Sequence, residues 1–305
     1  MYKQIAANRQ KTFLLVFSFL VLIIVAGYFA SVYWDSPSVL FLAIVASVGM
    51  SWWSYFAGDK AILVMSGARV VQHDADIKQR QIVHLVENLC ITAGLPVPKV
   101  YLVNDPAPNA FAVGRDPKHA SIALTTGIIE KLDKAELEGV IAHELSHIKN
   151  YDILLSTVVI TLLGVITLIA DWMGRSSSAA SIQGVRMGFG KRDDNDGGNG
   201  ALFIITIIFM ILAPIFAQLI YLGVSRQREY LADASGALLT RYPEGLANAL
   251  KKLAADKNQL RFANRATAGL YIVDPFKKMK EATVELWSTH PPLQKRIAAL
   301  MNMNI

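Results

Sequence analysis

The segment from His143 to His147, His-Glu-Leu-Ser-His, has the residue types and spacing of a metal-dependent hydrolase site. On a helix, residues four apart lie one above the other on the same face, so both imidazoles can reach one Zn²⁺ at about 2.0–2.1 Å. Glu144 lies beside the pair, where it can take a proton from zinc-bound water without being a ligand. The spacing therefore predicts His143 and His147 as metal ligands and Glu144 as the catalytic base.

A catalytic zinc site needs a third protein ligand and keeps its fourth position open for water or a substrate carbonyl. Glu229 and Asp233 are two carboxylates on one face of a further predicted helix. We expect Glu229 to complete a His₂Glu site that holds one zinc ion per chain. We expect Asp233 to accept the free ring N–H of a ligand histidine, His143, and so to fix its tautomer. An ordinary solvated helix face is the alternative for this pair of acids.

The helix that carries the two histidines has a start signal of its own. Asp133 is a predicted N-cap, and Glu136 three residues later has the position of a capping box. Leu137, Val140 and Ile141 recur at helical spacing. The metal-binding segment is therefore expected in the middle of a helix.

Residues 58–151 have the patterns of a mixed α and β domain ahead of and around the metal helix. A helix is predicted from Arg80 to Ala93, and strands from Lys99 to Val103, Asn109 to Val113 and Ser121 to Thr125. The residues alone favour an ordinary hairpin strand at Asn109, although a free sheet edge there could hold an extended peptide through main-chain hydrogen bonds. The expected fold is mainly α with a small β-sheet.

The composition predicts a membrane protein, because 53 % of the residues are hydrophobic and that is too apolar for an ordinary soluble enzyme. The two leading apolar runs are each long enough to cross a hydrocarbon core of about 30 Å. The first run is too long for the apolar core of a cleaved signal peptide, and the second run follows it at once. The four runs are Phe13 to Trp34, Val39 to Ala57, Ile153 to Met173 and Leu202 to Val224. Residues 175–200, between the third and fourth runs, have the composition of a mobile polar loop.

This pattern divides the chain into a transmembrane hairpin (1–57), a first catalytic part (58–150), a second transmembrane hairpin (151–224) and a second catalytic part (225–305). Lys3, Arg9 and Lys11 precede the first span, whereas the first turn has no basic residue, so the N-terminus and catalytic domain are expected in the cytoplasm. The basic residues of the 175–200 loop oppose this orientation. Either that loop is translocated despite its charge or the second hairpin does not fully cross.

His290 stands before Pro291 and Pro292 at the predicted start of a C-terminal helix. His290 could donate to the oxyanion of a tetrahedral intermediate or bind zinc in the resting site, and a helix-capping or core role is equally open. Arg296 is assigned to a structural ion pair. The other histidines and the single cysteine are assigned to structure: His73, His84, His119 and Cys90.

The net charge of +6 raises the question of nucleic acid. Most basic residues border apolar runs, so contact with anionic lipid headgroups explains them better, and no nucleic-acid partner is expected. The expected partners are the lipid bilayer and membrane-protein substrates. The oligomeric state is left open.

The chain resembles the HtpX family of bacterial membrane zinc endopeptidases, which are relatives of the CAAX prenyl endopeptidase. The resemblance covers nearly the whole chain, including the order of the apolar runs, and its motifs are His143 to His147, Glu229 to Asp233, Asn109-Ala110-Phe111-Ala112, and His290-Pro291-Pro292 followed by Lys295-Arg296. The resemblance implies a gluzincin-like zinc peptidase, multi-pass in the bacterial inner membrane. It also implies substrate binding by the Asn109-Ala110-Phe111-Ala112 strand and a role in stress-related removal of damaged membrane proteins. With that role, other proteases of membrane quality control are candidate partners.

Three other functions remain open at this stage. A dedicated processing protease of the prenyl-endopeptidase kind would cut one defined tail. A zinc hydrolase could act on lipid instead of peptide. A catalytically silent membrane scaffold is disfavoured because all four catalytic positions are present.

Overall fold

A computed structural model describes residues 2–72, 76–181, 226–256, 258, 260, 270–272 and 291–303, with the backbone alone for residues 2 and 167–181. The expected mainly helical architecture with a small sheet is confirmed within these ranges. The fourth apolar run (202–224), His73 and His290 lie outside the described residues.

Two long apolar helices open the chain. Helix α1 runs over Tyr2–Tyr33 and α2 over Pro37–Met65. The turn between them is tight, with Asp35 at a φ of 48°, and Pro37 fits the first turn of α2 because that position needs no N–H donor. Both helices have the length and composition to cross a membrane. The predicted first hairpin therefore has the helical structure that its apolar runs indicated.

A sharp bend joins the metal helix to the next apolar helix. Helix α5 covers Lys134–Lys149 and α6 covers Asp152–Ser181. The axis of α5 and that of the first part of α6, Asp152–Ile166, differ by 83°. Tyr151 makes the corner with a φ of 59°. Within the described ranges, this bent pair is a third candidate span if it is counted as one broken span.

The prediction of a loop from residue 175 onward is wrong for its first part, because α6 stays helical to Ser181. The stretch Arg175-Ser176-Ser177-Ser178-Ala179-Ala180 contains neither glycine nor proline, so nothing in it ends a helix. Residues 182–200 lie outside the described part of the chain.

Helix α6 packs against the first hairpin. Its Leu154, Leu155 and Val158 form one buried cluster with α1 side chains that include Leu15 and Phe19. Ser54 of α2 and Thr161 of α6 share a hydrogen bond between their hydroxyl groups. The start of α6, and with it the bend after the metal helix, is therefore fixed against the membrane helices.

The sheet has four strands in the order β1-β2-β4-β3. They are β1 (Ala68–Val70), β2 (Lys99–Val103), β3 (Ala110–Gly114) and β4 (Ala120–Thr125). Strands β2 and β4 are parallel, and the two outer pairings are antiparallel. The three predicted strands are confirmed, and β1 was not predicted because its three residues are too few to show alternation. Strand β3 lies at an edge of this sheet.

The remaining helices close the core around the sheet. They are α3 (Ile77–Ala93), α4 (Thr126–Lys131), α7 (Arg226–Thr240), α8 (Pro243–Ala255) and α9 (Leu293–Met301). The predicted helix to Ala93 is confirmed and begins earlier, at Ile77, because the Asp76 side chain caps it by accepting from the Ile77 N–H at 2.7 Å. The core joins aliphatic side chains of α3, α5, α8 and the sheet, and burying each such side chain stabilises the fold by about 1.5–3 kcal/mol.

Candidate metal centre

Three side chains from two helices converge in the core. His143 and His147 of α5 have their Nε2 atoms 3.2 Å apart. Glu229 of α7 places one oxygen 3.9 Å from His143 Nε2 and the other 3.7 Å from His147 Nε2. The ligand atoms of the three residues all lie within 4.8 Å of one another. Two imidazole nitrogens and one carboxylate oxygen are a donor set typical of catalytic zinc, so these residues fit a metal ion.

The position of the two histidines follows from how α5 begins. The Asp133 side chain accepts from the Glu136 N–H, and the Glu136 side chain accepts from the Asp133 N–H, each at 2.9 Å. This is the expected capping box. Lys252 of α8 also donates to Glu136 at 2.6 Å. The helix therefore starts at a fixed residue, and the histidines fall in its last two turns.

The position of Glu229 follows from close packing of α7 on α5. A Cβ atom added at Gly236 would lie 2.9 Å from the main-chain nitrogen of His143, so only glycine allows this approach. Glu229 lies seven residues, or about two helical turns, before Gly236 and on the same face of α7. The carboxylate is therefore carried to the histidine pair by direct contact between the two helix backbones.

A buried ion pair between Asp233 and Arg296 lies next to the Nδ1 side of the His143 ring. His143 Nδ1 lies 3.0 Å from Asp233 Oδ1, although that nitrogen makes no hydrogen bond of good geometry. Arg296 of α9, whose side chain is 0 % exposed, donates to both Asp233 oxygens at 2.7 Å and lies 3.1 Å from Glu229 Oε2. The structural ion pair expected for Arg296 is thus present.

Asp233 and Arg296 each stabilise the charged form of the other. Burial alone would raise the pKa of Asp233, but the Arg296 guanidinium outweighs it and lowers that pKa below its ordinary value. Burial alone would lower the pKa of Arg296, and the Asp233 carboxylate raises it above its ordinary value instead. Asp233 therefore stays an ionised acceptor facing the ring of His143.

A second carboxylate faces His147, and sequence reasoning missed it. Asp152, the first residue of α6, accepts from His147 Nδ1 at 2.9 Å. Asn8 of α1 donates to the other Asp152 oxygen at 2.6 Å and to the Asn150 carbonyl at 2.9 Å. The available signal was an acid placed directly before an apolar run and five residues after His147. The partner Asn8 gives no such signal, because it lies near the other end of the chain.

The Asp152 contact changes the proton affinity of His147 in the metal-free site. Burial alone would lower the pKa of His147, but the hydrogen bond to Asp152 and the charge of Glu229 outweigh it and raise that pKa to about 9. A metal ion must therefore displace a proton from this ring at neutral pH.

Glu144 is buried beside the histidine pair, with an exposed fraction of 3 %. Burial raises the pKa of Glu144 above its ordinary value, and the nearby charges of His143 and His147 offset this only in part. A carboxylate with a raised pKa is a stronger base, which suits proton transfer near neutral pH.

The edge strand β3 packs against the metal helix. The Thr125 N–H donates to the Asn109 carbonyl at 3.0 Å, and since antiparallel pairing alternates, the main-chain groups of Ala110 and Ala112 point away from β4. The Asn109 side-chain oxygen accepts from the N–H groups of Ala110 and Ile272 at 2.9 and 3.3 Å. Its buried Nδ2 has no partner among the described residues.

The residues assigned to structure have ordinary partners where they are described. His84 lies 3.1 Å from Glu87, and His119 lies 2.9 Å from Asp116. Burial raises the pKa of the Cys90 thiol to about 11, so it is protonated and unreactive. None of the three lies in the metal centre.

Comparison with known proteins gives one consistent family. The model of peptidase family M48 matches residues 76–304. A protease HtpX homolog of Tropheryma whipplei (strain Twist) is 44 % identical over 304 residues, covering 99 % of this chain and 98 % of the relative. A protease HtpX homolog of Caldanaerobacter subterraneus subsp. tengcongensis is 43 % identical, covering 100 % and 98 %.

A solved structure also resembles the fold. The crystal structure of S. mikatae Ste24p superposes with a TM-score of 0.50 at 17 % identity, covering 98 % of this chain and 67 % of that chain. At this identity the likeness concerns the fold alone.

Proposed function

Because the chain belongs to peptidase family M48, we propose that His143, His147 and Glu229 hold one zinc ion per chain in a gluzincin-like site. The chain is a membrane-associated metalloprotease of the HtpX kind, with two helices that can cross a membrane. The convergence of the two imidazoles and the distant Glu229 carboxylate within 4.8 Å is the observation that carries the zinc assignment.

Each ligand histidine is supported on its far side by a carboxylate. Asp233 faces Nδ1 of His143 and Asp152 faces Nδ1 of His147, which leaves both Nε2 atoms directed toward Glu229. Such carboxylates orient the rings and raise their basicity as ligands. We assign Asp233 and Asp152 this positioning role.

The proposed reaction is hydrolysis of a peptide bond with Glu144 as the base. Zinc, when bound, supplies Lewis acidity that polarises the scissile carbonyl and makes water more acidic. Glu144 accepts the proton of the attacking water and passes it to the leaving amine. Its raised pKa favours the first transfer, and its burial keeps bulk water from competing. His290 is proposed, on its sequence position, to donate to the oxyanion.

Strand β3 is the proposed binding surface for the substrate backbone. Asn109, Ala110, Phe111 and Ala112 lie at the sheet edge beside α5, and the outward main chain of Ala112 can pair with an extended peptide. The small side chains of Ala110 and Ala112 permit a close approach of that peptide.

The proposed substrates are misfolded or damaged proteins of the bacterial inner membrane, cut on the cytoplasmic side. His147 stands only a few residues before α6, which packs on the membrane helices, so the site lies beside the bilayer. Lys3, Arg9 and Lys11, which lie in α1 before its apolar run, support the cytoplasmic orientation. We propose a multi-pass topology in which the hairpins 1–57 and 151–224 carry the catalytic parts 58–150 and 225–305. A survey of cleaved membrane proteins distinguishes quality control from processing of one defined tail.

The substitution Glu144→Gln tests the catalytic assignment. It keeps the shape of the side chain and removes the base, so the purified full chain in detergent should keep its zinc and lose casein cleavage by about 10²–10⁴-fold. Glu138→Gln, on the same helix with a third of its side chain exposed, is the matched control and should keep full activity. Undiminished cleavage by Glu144→Gln at unchanged zinc content would refute the assignment.

A further inference from the structure

A cleft of about 980 Å³ opens where the catalytic domain meets the membrane helices. Its lining comes from α1, α2, the loop after α3, the turn after β3 and the bend before α6. Tyr151 lines the cleft, whereas the neighbouring Asp152 faces His147, and no residue of the metal centre is among the lining residues. Neither the proposed catalysis nor the substrate strand uses this cleft.

The depth of the cleft in the membrane follows from helix length. About 20 residues cross the hydrocarbon core, whereas the candidate spans have 31 and 29 residues. The tight turn at residues 34–36 holds together the ends of α1 and α2 that lie away from the catalytic domain. The residues beyond the 20 needed to cross the core therefore project from the membrane on the side of the catalytic domain. Counting about 20 residues along each helix from the turn places the edge of the hydrocarbon core that faces the catalytic domain close to Phe13 on α1 and Phe56 on α2. The cleft contains Phe13 and Tyr55, so it lies at this edge.

The two sides of the cleft differ in character. Phe13, Val16 and Leu154 line it on the side of the bilayer, and Arg9, Arg115 and Lys118 line it on the side of the catalytic domain. A ligand that fits must therefore have an apolar part next to the helices and an anionic part just outside the hydrocarbon.

The arginines are held with their hydrogen-bonding edges available. The Arg9 guanidinium carbon lies 4.6 Å from the centre of the Tyr151 ring, and that of Arg115 lies 5.4 Å from the centre of the Phe56 ring. Stacking occupies the flat faces and leaves the N–H edges, which match a phosphate. Among the described residues, no carboxylate is recorded within ion-pair distance of Arg9 or Lys118.

Among the described lining residues, one acid, Asp116, stands against the three cations and does not neutralise them. Asp116 lies 3.7 Å from Arg115, and its oxygens are already bonded to the ring of His119 and to the N–H groups of Lys118 and His119. The cleft therefore keeps a net positive charge.

We propose that this cleft binds the headgroup of an anionic glycerophospholipid, with the phosphate between Arg9 and Arg115 and an acyl chain along Phe13 and Val16. The bound lipid bridges the membrane hairpin and the turn after β3. It thereby holds the catalytic domain against an anionic membrane surface. The site depends on the membrane placement of α1 and α2 and not on peptidase activity.

The test measures lipid binding to the purified full chain in an uncharged detergent, with dioleoyl phosphatidylglycerol and dioleoyl phosphatidylcholine as probes and native mass spectrometry as the readout. Each basic side chain near an anionic lipid contributes roughly a fivefold factor in affinity, so the Arg9→Gln/Arg115→Gln double variant should bind phosphatidylglycerol roughly 25-fold more weakly. Its binding of phosphatidylcholine should not change.

The matched control is Lys11→Gln/Lys60→Gln, which removes the same charge from exposed residues of α1 and α2 that do not line the cleft. It should keep its affinity for phosphatidylglycerol. Lys118→Gln, at an exposed residue where folding is not at risk, should lose roughly fivefold.

If both double variants bind phosphatidylglycerol equally more weakly, the lipid is attracted by the overall positive charge and not by the cleft, and the proposal is overturned. Displacement of phosphatidylglycerol by millimolar inorganic phosphate would show that the cleft recognises phosphate alone, and would overturn the lipid assignment. Loss confined to the cleft variants, with no displacement by phosphate, supports it. Zinc content and cleavage do not enter these outcomes, so the result is independent of the proposed catalysis.

Discussion

Replacing Asp152 by asparagine is expected to weaken zinc binding, although Asp152 is not a ligand. Asp152 accepts from Nδ1 of His147 at 2.9 Å and has only 9 % of its side chain exposed. Asparagine has the same shape but no charge, and it has one acceptor oxygen where Asp152 uses two, one for His147 and one for Asn8. The substitution therefore removes the electrostatic support of the ring and one of the two hydrogen bonds of the Asp152 side chain.

The expected magnitude comes from two independent considerations. A hydrogen bond to a charged group contributes about 1.5–3 kcal/mol. Loss of a carboxylate behind a metal-bound histidine costs about 10–100-fold in metal affinity, which corresponds to about 1.4–2.7 kcal/mol. Because asparagine loses the charge and keeps only one of the two hydrogen bonds, we expect zinc binding to weaken by at least roughly tenfold.

The assay is a zinc competition titration of the metal-free protein in detergent against a coloured chelator. Asp116→Asn is the matched control, since Asp116 contacts the ring of His119 at the same 2.9 Å distance and neither residue belongs to the metal centre. Its zinc affinity should equal that of the wild type. A change of less than about twofold in Asp152→Asn, or an equal change in both variants, would refute the role given to Asp152.

Two further predictions concern the same site. Gly236→Ala should separate α7 from α5, because its new Cβ would lie 2.9 Å from a main-chain nitrogen, and should weaken zinc binding by at least roughly tenfold. The control is Gly164→Ala, where an added Cβ meets nothing within 4 Å. Equal zinc affinities in the two variants would contradict the packing argument. Zinc affinity should also rise with pH up to about 9, because the raised pKa of His147 keeps its ring protonated below that value in the metal-free site. Calorimetry in buffers of different ionisation enthalpy should detect close to one proton released per zinc at pH 7.5, and no proton release would contradict the pKa argument.

The sequence was informative where a site depends on spacing within one element. The i and i+4 histidines and the Asp133 capping box are local patterns, and α5 has the predicted start and the predicted shared face. The pair Glu229 and Asp233 was found for the same reason. Their meeting with the histidines depends on Gly236, whose close contact with α5 cannot be read from the residue type.

Contacts between distant segments could not be predicted in this way. Asn8 and Asp152 are 144 positions apart, and only the packing of α1 against α6 brings them together behind His147. The cleft likewise needs five separate segments. Strand β1 was not predicted because its three residues are too few to show an alternating pattern. The end of α6 was placed too early because no glycine or proline marks it in the sequence.

The zinc content of Glu229→Ala, compared with that of the wild type, is the most direct test of the proposed metal centre. Glu229 comes from a helix remote in sequence, and its carboxylate lies within 4.8 Å of both histidine nitrogens. Elemental analysis of the purified chain should find close to one zinc per wild-type chain. It should find nearly none in Glu229→Ala, while Glu144→Gln, which alters no proposed ligand, keeps its zinc. A full zinc complement in folded Glu229→Ala would contradict the proposed metal centre.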